Sequence, residues 1–196
     1  MDVMTALDDA QGRRLFDAVR MVKGKPLTQG DVDLVNRALA PGPRHADKRA
    51  IDLIHSFETL KLTSYKDPGS KNGLPITCGL GTTVDENGGP IPLGVTWTRE
   101  KADRLFARDL AKAETAVERL VGAAPTTDGQ FGALVSFAYN VNEGDGGLKT
   151  STLLRKHMNG DYGGAKAEFA RWRFNDGKEL KGLVRRRAAE AELYAS

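Results

Sequence analysis

The chain of 196 residues has one cysteine, Cys78, and three histidines. A single cysteine excludes an internal disulfide and any zinc site that needs several thiolates. The histidines, His45, His55 and His157, are scattered along the chain and suggest no metal site. No apolar run is long enough to span a bilayer, so stable membrane insertion is not expected. The N-terminus, Met1 to Val19, is acidic where a secretory signal would be basic, and it lacks a long apolar stretch. This predicts a protein made and kept in a cytoplasm, which would need help to reach anything beyond the membrane. No helix-turn-helix, zinc-finger or aromatic-basic sheet motif is visible, so nucleic acid is not an expected partner.

What is present is a foldable composition. Apolar residues are 40% of the chain and charged residues 28%, enough for a core and too apolar for wholesale disorder. The net charge is +3 and the pI about 9.0. This favours anionic partners without choosing among nucleic acid, membrane and cell wall. From residue 150 onward ten Lys/Arg stand against six Asp/Glu, so the C-terminal end is the basic one.

The organisation reads as an appendage and one domain. In residues 1–43, Leu15, Phe16, Val19 and Val22, then Val32, Val35 and Leu39, recur at helical spacing around a break at Gly24. Thr28 and Asp31 form a capping pair, and Ala40 to Pro43 reads as a linker. The expected hairpin either binds cell wall or packs on the rest. Residues 44–196 form the main domain. A helix is expected from about Asp47 to Lys61. Residues 63–98, rich in Gly, Pro, Thr and Asn, read as a small antiparallel sheet with a turn at Asn87-Gly88-Gly89. Thr98 opens a long helix that Gly122 and Pro125 end, with Trp97 as a hydrophobic staple. The remainder reads as helical throughout, with segments at Phe131 to Tyr139, from Ser151, at Gly164 to Phe174 and at Gly182 to Tyr194. The prediction is an α+β protein with a sheet lobe, a long connecting helix and a larger helical lobe. The lobes would leave a cleft between them.

Two carboxyl groups stand out. Glu58 lies near the end of an apolar helix, a setting that disfavours its ionised form. Asp67 follows after eight intervening residues, in a Pro-Gly region. Acid-assisted glycoside hydrolysis needs such a pair, one to protonate the leaving oxygen and one to activate water or attack carbon. By itself the pair is also what a solvated surface would show among 26 acidic residues. Thr77-Cys78-Gly79-Leu80-Gly81 places a hydroxyl beside glycines, which equally describes a tight hairpin.

Together, Glu58, the eight-residue gap, Tyr65-Lys66-Asp67, and Thr77 ahead of Gly79-x-Gly81 resemble the active-site signature of the phage-type lysozymes. That glycoside hydrolase family includes the T-even phage muramidase and its lambdoid relatives. Ala133 to Val141, Ser151 to Lys156, Glu168 to Trp172 and Gly182 to Glu190 resemble the family's later helices in the same order. The resemblance covers residues 47 to 195. This chain has nine residues between Asp67 and Thr77, a longer turn than the family's usual one, and a threonine, Thr82, where some relatives have histidine.

The resemblance implies an endolysin that hydrolyses the β-1,4 bond between N-acetylmuramic acid and N-acetylglucosamine in bacterial peptidoglycan, with inversion. Glu58 would be the general acid, and Asp67 with Thr77 would activate water. It implies no cofactor, a monomer, and a holin-type pore for release from the host cytoplasm. Within the Arg185-Arg186-Arg187 run, Arg186 is the candidate to point back at the catalytic helix, and it is grouped with Asn140 as a substrate-side residue. Asn140 either bonds an acetamido group or caps a turn. Tyr139 and Trp172 either stack on sugar or belong to the core. Cys78 reads as a small buried side chain. The competing functions are a lytic transglycosylase on the same bond and a non-catalytic basic wall-binding protein.

Overall fold

The computed structural model describes residues 17, 19–21, 24, 26–32, 42–67 and 72–196. The chain divides into two compact units, Met1–Pro43 and Arg44–Ser196. In the first, residues 29–32 are helical. Thr28 and Asp31 cap that turn reciprocally: Thr28 N and Oγ1 donate to the Asp31 carboxylate, and Asp31 N donates to Thr28 Oγ1. Leu15, Phe16, Val22, Val35 and Leu39, on which the helical-hairpin expectation rests, lie outside the described residues.

The second unit opens with helix α1 (Lys48–Phe57), whose first turn is capped by the Asp47 side chain accepting from Ala50 N at 3.1 Å. The helix ends before the expected Lys61. Glu58 is already extended (φ −101°, ψ 110°), and β-branched Thr59 and Thr63 favour a strand. Strand β1 (Lys61–Lys66) pairs antiparallel with β2 (Ile76–Gly79). Three isolated bridges extend the small lobe: Thr63 to Thr96, Cys78 to Thr82, and Val84 to Pro90. The turn at Asn87-Gly88-Gly89 is where expected. Asp85 Oδ1 accepts from Asn87 N and Gly89 N, both at 2.8 Å.

Helix α2 (Arg99–Val121) runs from the Thr98 cap to Gly122. Its Ala102 and Leu105 join Cys78, Ile91 and Trp97 in the small apolar cluster. Further along, Phe106, Leu110, Ala113 and Val117 enter the main core. One helix therefore carries both lobes. Trp97 immediately precedes the Thr98 cap and shares the cluster with Ala102, four positions into the helix, which is the staple arrangement.

The helical lobe continues with α3 (Asp128–Val141), α4 (Thr152–Met158, capped by Ser151), α5 (Tyr162–Glu168) and α6 (Lys181–Tyr194). Its core centres on Ile54, Val117, Phe131, Phe137, Leu153 and Phe169, all buried. The α+β expectation holds. One detail is corrected: the C-terminal part is not helical throughout. After α5 a 3-10 turn (Phe169–Arg171) leads into a second hairpin, β3 (Phe174–Asn175) with β4 (Lys178–Glu179). Asp176 and Gly177 both have positive φ (51° and 76°), the two-residue turn that matches strand twist.

Candidate active site

Glu58 is the residue at which α1 gives way to β1, so its side chain stands where the helical body meets the sheet lobe. Its Oε1 accepts from Arg186 Nη1 at 2.6 Å, with the two side chains 16% and 3% exposed. Arg186 comes from α6 and is fixed on its other edges. Its Nε donates to Glu190 Oε1 at 3.2 Å and its Nη2 to the Ser136 carbonyl at 3.3 Å. Glu190 is fully buried and also accepts from Ser136 Oγ at 2.8 Å and from Arg187 Nη2 at 2.9 Å. Burial pushes the Glu190 carboxyl upward, and the charges of Arg187 and Arg186 and the Ser136 hydrogen bond oppose that push. The apolar setting expected of Glu58 is therefore only part of its environment, because its direct partner is a cation.

The second oxygen, Oε2, lies over Gly81. A Cβ at that position would come within 2.8 Å of it, so the glycine leaves room for the carboxyl. The Leu80-Gly81 turn is tied to α3 by Tyr139, whose hydroxyl donates to the Leu80 carbonyl at 2.7 Å. Burial, then the charge of Glu58, push the Tyr139 phenol up, so it stays a donor. Tyr139 and Trp172 both pack on the core, and Trp172 meets Phe137 edge-on.

The sheet supplies the other half. Tyr65 pairs with Thr77 across β1–β2, so their side chains leave the same face of the sheet. Asp67 follows Tyr65 by two residues, and its N donates to the Gly73 carbonyl at 3.1 Å. The β1–β2 register shifts between Lys61 and Tyr65 and runs regularly from Tyr65 to Lys66. Thr77 is buried, with its Oγ1 3.4 Å from the Pro75 carbonyl. The Tyr65 phenol is raised by burial, then by the charges of Glu58 and Asp67. One side chain thus feels both carboxylates. Lys61 Nζ sits 4.0 Å from the centre of its ring.

Asn140 is exposed near the end of α3, and its Oδ1 accepts from Arg187 Nη2 at 2.9 Å. Arg186 meets Glu58 from inside the protein rather than from the surface. Sequence reasoning overlooked Ser136, Arg187 and Glu190 as the support of that contact. The signal available was the i,i+4 spacing of Arg186 and Glu190. His55 stacks on Phe106 (4.5 Å between ring centres). Cys78 is buried against the Leu62 carbonyl at 3.3 Å, and burial pushes its thiol up, away from a reactive thiolate. Among the described residues no cluster of three metal-ligating side chains occurs.

The family model described as Phage lysozyme matches residues 55–190. An endolysin of Bacillus phage B103 is 39% identical over 145 residues, 74% of this chain but only 51% of the phage protein, so the chain spans about half the length of that relative. The solved endolysin of Escherichia coli O157:H7 phage FAHEc1 is 31% identical with a TM-score of 0.65, covering 78% of this chain and 94% of that one. The muramidase domain of SpmX from Asticaccaulis excentricus is 30% identical with a TM-score of 0.64, covering 78% and 99%.

Proposed function

The chain belongs to the phage lysozyme family, and from that premise we propose that it is an endolysin acting as a muramidase on bacterial peptidoglycan. Residues 44–196 form its catalytic domain. The bond cleaved is the β-1,4 linkage from N-acetylmuramic acid to N-acetylglucosamine. The observation that carries this reading is the Glu58 carboxyl, gripped at Oε1 by buried Arg186 and bordered at Oε2 by Gly81.

Glu58 is the general acid. With Oε1 committed to Arg186, Oε2 delivers the proton to the leaving glycosidic oxygen. Asp67, on the sheet side, takes the proton of a water that attacks the anomeric carbon from the opposite face, and Thr77 helps to hold that water. Attack from the far face inverts the anomeric configuration. Asn140 lies on the substrate side. The protein acts as a monomer. Release to the wall through a separate holin-type pore belongs to the same reading, by analogy with the family. No helix among the described residues is long and apolar enough to cross a membrane.

Turbidity loss of outer-membrane-stripped cells tests the roles, with wild type, Glu58→Gln and Asp67→Asn. Both variants should fold normally and lose lysis by about two orders of magnitude or more. Near-normal lysis by Glu58→Gln would refute the assignment. Mass spectrometry of the digest separates hydrolysis, which leaves a reducing sugar, from transglycosylation, which leaves an anhydro end. NMR of the first product shows the inverted or retained anomer.

A further inference from the structure

Helix α6 presents two distinct faces. A helix turns about 100° per residue, so Arg186, directed at Glu58, and the set Val184, Arg187, Ala188 and Ala191 leave it on different sides. The second set lines a groove of about 610 Å³ between α6, α5 and the β3–β4 hairpin. Two exposed apolar side chains flank it: Phe174 on the hairpin, 51% exposed, and Val184, 38% exposed. The Arg173 guanidinium lies 5.0 Å from the Phe174 ring centre, over one face of that ring.

Cations neighbour both side chains along the chain: Lys178 shares the hairpin with Phe174, and Lys181 and Arg185 lie within one turn of Val184 on α6. Lys178, Lys181 and Arg185 are exposed and form no ion pair among the described residues. Of the acids nearby, Glu179 pairs with Arg173 and Glu192 with Lys166, and Asp176 is exposed at the hairpin turn. At the groove itself, buried Arg187 keeps Nη1 without a hydrogen-bond partner.

We propose that this face docks reversibly on an anionic lipid bilayer. Phe174 and Val184 enter the boundary between headgroups and acyl chains, and Lys178, Lys181 and Arg185 lie against lipid phosphates. Charge alone would suit any polyanion. Exposed apolar side chains on elements that also carry unpaired cations suit a bilayer interface, where both contributions add. Val184, Ala188 and Ala191 leave α6 on a different side from Arg186, and docking there does not depend on what the candidate active site cleaves.

Flotation of the full chain with vesicles tests this, comparing phosphatidylglycerol–phosphatidylcholine mixtures with pure phosphatidylcholine at low and high salt. Binding is expected only to the anionic vesicles. It should fall about tenfold in Phe174→Ser/Val184→Ser and roughly fivefold for each cation removed in Lys181→Gln and Arg185→Gln. All four positions are exposed, so thermal unfolding and lysis of stripped cells should stay near wild type. Absence of anionic-vesicle binding at low salt would overturn the proposal. So would vesicle binding that survives Phe174→Ser/Val184→Ser, which is plain basicity. Loss of binding to purified sacculi by the same variants, without vesicle binding, would make the face a wall contact and also overturn it.

Discussion

Glu58 stands on the helical body, while Asp67 and Thr77 stand on the sheet lobe, and the two regions hold their groups by different means. The body fixes Glu58 through a dry ionic chain from Arg186 to Glu190, Arg187 and Ser136, seated in the main core. The sheet lobe has a far smaller apolar cluster of Cys78, Ile91, Trp97, Ala102 and Leu105, and its register is set by a few strand pairs. Buried ions hold geometry strictly, because any displacement leaves a charge uncompensated. A short sheet holds it more loosely. On the proposed reading, the acid that must align with one oxygen sits in the strict region. The group that positions a small, mobile water sits in the looser one.

The strongest way to break this contrast is Glu190→Ala. It strands Arg186 and Arg187 in the core, and losing one partner of a buried ion pair costs about 3–5 kcal/mol. Denaturant unfolding should show that loss, and lysis should fall beyond what the folded fraction explains, because Arg186 no longer holds Glu58. The matching test in the other region is Trp97→Ala, expected to cost about 3 kcal/mol. Hydrogen exchange should then speed up at Ser64 and Trp97, whose amides bond Val95 and Leu62 across the lobe, while α3 and α6 amides stay protected. Equal loosening of both regions would show that they are not separate.

Gly81→Ala sits at the join. Its φ of +83° strains any other residue, by about 1–2 kcal/mol, and the new Cβ meets Glu58 Oε2. Gly88→Ala is the control, with a φ of +81° and nothing within 4 Å. Both variants should lose similar stability. Only Gly81→Ala should lose lysis, by about tenfold or more, since a misplaced reacting group is costly even at small displacements.

Much of this was legible in the sequence where a local rule applies. Thr98, Ser151 and Gly122 marked helix ends that the structure keeps, because capping depends on neighbouring residues alone. The Asp176-Gly177 turn is as clear a signal, yet it flanks strands of two residues, too short to carry an alternating pattern. The candidate site divides the same way. Glu58, Asp67 and Thr77 stood out through the spacing of a motif. Arg186 was marked too, as the member of its run that turns back to the catalytic helix; its partners Ser136, Arg187 and Glu190 were not, because a run such as Arg185-Arg186-Arg187 is ordinarily a solvated face. Only Arg185 behaves so; Arg186 and Arg187 are buried, and that is decided by tertiary contacts that no local rule contains.

The smallest effect concerns another buried polar group of the body. His157 is fully buried, with Nε2 2.9 Å from Thr126 Oγ1 and Nδ1 2.6 Å from the Tyr194 hydroxyl. Burial disfavours its cation and pulls it below the ordinary histidine value of 6.5. The unfolded chain therefore binds that proton first. Between the two values, unfolded molecules carry more protons than folded ones, so stability rises with pH. The contribution is complete above about 6.5 and is lost as the pH falls below it. Glu168 does not obscure this window. Lys156 holds its carboxyl below 4.5, so its share of stability is lost only in more acidic solution. Unfolding free energies measured from pH 7.5 down to about 5.5 should fall for wild type and stay flatter for His157→Gln. Hydrogen exchange over the same range should place the weakening in α4 and α6 and leave the β1–β2 amides unchanged. An equal slope in the variant would remove His157 as the cause, and a weakening shared by the sheet lobe would mean that the two regions unfold as one.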